Sequence, residues 1–155
     1  MSPATRARVH DTPLTGMTAG AVSTLALLWV GRRETGRAAA PLNAVSHWLW
    51  GRRALHRDRA SPRYTLPGLL IHQGASTFWA AVYQAAFDAR LRGRPLPALA
   101  AGSAVSALAC FVDFRLTPQR LTPGFEHRLS RGALALVYLS FGLGLALTDV
   151  RRRRR

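Results

Sequence analysis

Lysine is absent from this chain: all 22 basic residues are Arg, set against seven acids, for a formal net charge of +15. Cysteine occurs once, at Cys110 inside an apolar stretch, which excludes an intrachain disulfide. No GxSxG, Walker loop, GxGxxG or CxxC is present, so the common nucleophile-elbow, phosphate-cradle, dinucleotide and dithiol chemistries find no carrier. Charge itself is missing from long segments. A basic chain invites a nucleic-acid reading, since phosphate neutralisation needs clustered cations. The distribution argues against nucleic acid as a partner, because the Arg residues bracket apolar segments and no nucleic-acid-binding motif accompanies them. Exclusive use of Arg over Lys is what a GC-rich genome encodes, and it points to a bacterium.

The charge gaps set the architecture. Uncharged stretches cover 12–31, 64–87, 95–112 and 132–148. Crossing a bilayer takes roughly 20 apolar residues at about 1.5 Å each, with ~17 still tolerated. A soluble bundle would place charges on its outer faces every second turn, and these stretches have none. The expected fold is an all-α polytopic membrane bundle of four transmembrane helices, near 13–31, 66–88, 96–113 and 132–149. A fifth gap, AAAPLNAVSHWLWG at 38–51, is too short to cross. With Pro41 suited to a first turn and Trp48 and Trp50 suited to the headgroup level, it predicts one short interfacial or re-entrant helix over 40–55. The whole of 1–155 reads as a single membrane domain ending in a basic tail at 150–155. Thr122-Pro123 reads as the opening of the last helix, with polar first turns ahead of Gly132.

Small residues recur every fourth position where backbones can approach closely: Gly16 and Gly20; Ala98, Gly102, Ser106 and Cys110; Ser140, Gly144 and Thr148. A second four-residue ridge, Gly68, His72, Ser76, Ala80, Gln84 and Asp88, is small and polar and should face the bundle, since ionisable groups against lipid are costly. Trp79, Tyr83 and Phe87 form an aromatic ridge expected to pack or to anchor at the interface.

With four crossings, one membrane face collects Glu34, the short helix, His72, Asp113, Arg120, Glu126 and His127. The polar cluster expected there is Asn43, Ser46, His47, His72, Asp113, Arg120 and Glu126. Two readings stand side by side. In one, His47, His72 and a carboxylate hold a metal or haem, or relay protons. In the other, the same groups form a hydrogen-bonded network tying the short helix to the bundle, with Asp113 paired to Arg115 or Arg120. Lone His residues without HxxxH or paired Cys are a weak metal signature. Arg151, Arg152, Arg153, Arg154 and Arg155 are expected to meet anionic lipid headgroups, at about 1 kcal/mol each.

The strings APLNAVSHWLWGRRAL, TLPGLLIHQGASTFWAAVYQ and VDFRLTPQRLTPGFEHRLS resemble a family of small uncharacterised bacterial membrane proteins often labelled sodium:proline symporter. The resemblance covers about 16–147 and is most specific in NAxSHWxWG and RLTPGFE. It implies a multi-pass inner-membrane protein and draws attention to Asn43, His47, His72, Asp113, Arg120 and Glu126. The chain is far shorter than a symporter and shows no inverted repeat. The sequence therefore points to a structural, accessory or stress-related membrane component, in preference to an enzyme. Its rivals are a metal- or haem-binding protein, with or without redox activity, and a small transporter or channel subunit, which would need a homo-oligomer.

Overall fold

The computed structural model describes residues 3–87, 91 and 93–151, with side chains from Thr12 onward. Asp88 and Arg152, Arg153, Arg154 and Arg155, all singled out above, lie outside the described residues. Every described element is helical. Four long helices, α1 (Pro3–Thr35), α5 (Thr65–Phe87), α6 (Pro95–Phe111) and α7 (Arg131–Arg151), form the bundle. Three short ones, α2 (Ala40–Val45), α3 (His47–Trp50) and α4 (Arg52–Leu55), follow α1. A π-turn at Val112–Leu116 and two 3-10 turns, Gln119–Leu121 and Phe125–His127, join α6 to α7.

Three segments are long and apolar enough to cross a membrane: Thr12–Thr35, Pro95–Leu116 and Arg131–Arg151. The chain is thus an all-helical protein with helices of membrane-spanning character. Helix α5 is as long as these but more polar. The polar side chains responsible turn toward α1: Gln73 Nε2 donates to the Gly16 carbonyl (2.9 Å) and Gln84 Nε2 to Thr15 Oγ1 (3.1 Å). Its outward positions are apolar, with Leu70 and Phe78 each 62 % exposed.

Helices α5 and α7 both run antiparallel to α1, and α6 packs on α7. Small residues make these crossings close. A Cβ on Gly16 would stand 2.6 Å from Thr77 Cα of α5, and one on Gly144 2.6 Å from Ala19 Cα of α1. Gly102 of α6 faces the Gly142 carbonyl of α7 just as tightly. The four-residue spacing of small side chains therefore does what such spacing does in lipid: it lets dispersion and backbone contacts replace a hydrophobic drive. Helices α5 and α6, by contrast, close against each other only sparingly, and the bundle is open on that side.

The stretch expected as one helix over 40–55 is broken into three. Gly51 adopts φ 60°, ψ −154°, a conformation that L side chains rarely take, and Ser46 turns the chain by donating its hydroxyl to the Asn43 carbonyl (2.7 Å). Ala40 to His47 are buried, so this segment is packed inside the protein rather than laid along its surface. The last helix also departs from expectation. It starts at Arg131, because Gly124 at φ +87° turns the chain after Pro123 and Ser130 supplies the cap, accepting from Ala133 N through Oγ (3.2 Å). Helix α1 extends well ahead of Pro13, an interior proline that forfeits one backbone bond without ending the helix.

Candidate functional site

Two loop regions, 36–64 and 112–130, interlock at one end of the bundle. Asn43, fully buried, is the hub: Nδ2 donates to the carbonyls of Arg57 (2.8 Å) and Arg59 (3.0 Å), and Oδ1 accepts from Thr65 Oγ1 (2.6 Å). Trp48 Nε1 donates to the Thr122 carbonyl (2.8 Å). Gly124 lies so near Ala44 O and His47 Nδ1 that a Cβ would come within 2.5 Å and 2.6 Å of them. Glycine is required there twice, for its positive φ and for the close approach. Arg128 donates to the Leu55 carbonyl (2.8 Å) and pairs with Asp58, while Glu34 accepts from Ser130 N (2.7 Å) and Oγ (2.6 Å) at the start of α7. The NAVSHW and RLTPGFE strings thus pack directly on each other.

Within this layer the two histidines do different things. His47 Nδ1 donates to the Ala44 carbonyl (3.0 Å), and Nε2 lies 3.4 Å from the Gln119 carbonyl. Both ring nitrogens of His47 are thus turned to carbonyl oxygens of the loop layer, away from His72. His72 Nε2 lies 2.9 Å from Ser23 Oγ of α1. Because the Ser23 hydroxyl already donates to the Ala19 carbonyl (2.8 Å), the imidazole is the donor in this pair. Asp113 accepts from the Tyr138 hydroxyl of α7 (2.6 Å). This replaces the expected pairing with Arg115 or Arg120, which are exposed and make no ion pair among the described residues. Packing explains the choice: the Tyr138 phenol reaches Asp113 from the neighbouring helix, whereas Arg115 and Arg120 are exposed on the outside of the protein. Glu126 Oε1 lies 3.8 Å from His127 Nε2, and Oε2 has no partner among the described residues. Arg151 is exposed at the end of α7.

His72 and Asp113 come together in the wall of a cavity of about 440 Å³ between α5 and α6, where the bundle is open. Its floor is formed by α1 and α7 through Ser23 and Tyr138, and its loop end by Trp48, Thr117, Leu121 and Phe125. The rest of the lining is almost wholly apolar. His47 does not line it. Among the described residues no group of three or more His, Cys, Asp or Glu side chains is placed to hold a metal ion.

No family model, curated protein or solved structure matches this chain. What can be said of the site rests on its own geometry. A volume within the 300–1,000 Å³ range of small-molecule sites, apolar walls and two convergent polar pairs are the ordinary make-up of a ligand pocket. Sequence reasoning located His72 and Asp113 but not Ser23, Gly74, Phe78 or Tyr138. A lone Ser or Tyr in a span carries no spacing signal of its own. Only the crossing of α1 and α7 behind the α5–α6 opening gives those residues a role.

Proposed function

We propose that the protein is a four-span integral protein of a bacterial inner membrane that binds an apolar or amphipathic small molecule taken up sideways from the bilayer. The observation that carries this reading is the cavity between α5 and α6, open at the depth of the apolar helices. Helix α5 is the fourth span: 23 residues give about 34 Å, its polar side chains are satisfied by α1, and its outer face is apolar. The α2–α4 segment enters the same end of the bundle without crossing. Binding rather than catalysis fits the walls, which are largely apolar and whose His72 and Asp113 are held in place by Ser23 and Tyr138. The role is accessory, as a receptor or sequestering component, with anionic lipids around its exposed Arg side chains.

Gly74 provides the test. It lines the cavity, and a Cβ built on it meets no atom within 4 Å, so a side chain there enters the opening without displacing the fold. Protein purified in mild detergent should retain a bound small molecule, seen by native mass spectrometry and extracted for analysis. Gly74→Phe should lower its retention at least tenfold with an unchanged melting temperature. Equal retention by the two proteins would remove the cavity from the account.

A further inference from the structure

We infer that the occupant of this cavity is a lipophilic cation, a quaternary ammonium or phosphonium centre carrying apolar substituents. The inference rests on the cavity reading above and adds the charge class of the ligand. Asp113 is the one acid in the lining, and no Arg lines it. Its Oδ2 accepts from Tyr138, while Oδ1 has no partner among the described residues. Tyr138 therefore holds the carboxylate in place and leaves one oxygen for a ligand. Trp48, Phe78, Trp79, Phe125, Tyr138 and Phe141 put nearly half of the chain's aromatic side chains into the lining of this one cavity. Aromatic faces attract a cation through the ring quadrupole, most strongly when the cation has little water to shed.

Charge and hydration together choose the class. A small metal ion would need further oxygen or nitrogen ligands, and no such group is assembled among the described residues. An anion would meet Asp113 across an apolar wall, where repulsion is poorly screened. A neutral molecule would gain at most a hydrogen bond from the Asp113 carboxyl. A bulky organic cation satisfies the carboxylate, the aromatic faces and the apolar volume at once. Arg115, two residues from Asp113, is exposed and does not line the cavity.

The test compares two ions of the same shape and opposite sign. The full chain in detergent micelles is dialysed against tetraphenylphosphonium or tetraphenylborate, with empty micelles subtracted, and Trp emission is followed in parallel. The wild type should bind the phosphonium at least about tenfold more tightly than the borate. Asp113→Asn, which can still accept from Tyr138, should lose that preference, and Asp113→Glu should retain most of it. Gly74→Phe should abolish binding of both ions. If Asp113→Asn binds the phosphonium as the wild type does while Gly74→Phe does not, the cation assignment is overturned and the cavity stands. If neither substitution changes binding, both readings fall together.

Discussion

Replacing Asn43 by Ala removes three hydrogen bonds at a single buried point, those to the Arg57 and Arg59 carbonyls and from Thr65 Oγ1. Each buried bond contributes about 1 kcal/mol net, and partners left unsatisfied in the interior add to the loss. The expected cost is about 2–4 kcal/mol. It falls on the attachment of α2 to the 56–63 loop and to the first turn of α5. For a chain of this size, 1 kcal/mol moves the melting temperature by roughly 2–4 °C, so Asn43→Ala should lower it by about 4–16 °C. Differential scanning fluorimetry of purified protein in detergent reads this directly. Arg59→Ala keeps the accepting carbonyl and truncates an exposed side chain, so it should shift the midpoint by no more than ~1–2 °C. Asn43→Asp keeps the acceptor for Thr65 but turns a carboxylate toward two carbonyls, and it should cost at least as much as Ala. A midpoint for Asn43→Ala indistinguishable from that of Arg59→Ala would refute Asn43 as the hub of the loop layer.

Two glycines of α5 should respond oppositely to Ala. A Cβ on Gly68 would collide with the Leu42 carbonyl oxygen, so Gly68→Ala should destabilise by more than about 2 kcal/mol, whereas Gly74→Ala, facing open space, should stay within ~1 kcal/mol; equal melting temperatures would contradict the packing of α2 on α5. In a background where Cys110 is replaced by Ala, single cysteines at positions 36 and 60 should label from the same side of the membrane. Labelling from opposite sides would mean that α2–α4 crosses and that the chain has five spans. Four spans put both termini on one side of the membrane, so reporters fused at the two ends should give the same signal, and opposite signals would mean an odd number of crossings.

Spacing alone made much of the helical framework legible. Charge-free stretches marked all four long helices to within a few residues at most ends, because an apolar helix in lipid tolerates no charged face. The four-residue recurrence of Gly16 and Gly20, and of Gly144 and Thr148, anticipated which helix faces meet, since residues four apart share one helix face. The ridge on α5 was legible for the same reason, and its Gln73 neighbour adds a bond to α1 that the ridge does not contain. Breaks within helices were harder to read. Gly51 and Gly124 are ordinary glycines in the sequence, yet their positive φ values, together with the turns at Ser46 and Ser130, divide the 40–55 segment and delay α7 to Arg131.

The amino-acid sequence by itself determined that this chain is helical, that its long helices are apolar, and that His72 and Asp113 lie toward the end where the loops gather. Those properties follow from periodicity and from the cost of unpaired charge, both local quantities. Partnership was decided by the tertiary structure. His47 and His72, alike as residues and grouped by the sequence, part ways because one ring faces backbone carbonyls of the loop layer and the other faces α1. Asp113 takes Tyr138 rather than a nearby Arg because a helix crossing places a buried phenol against it. The cavity belongs to no segment at all. It exists because α1 and α7 pack through small residues while α5 and α6 stand apart, and a gap between helices has no signature in either one.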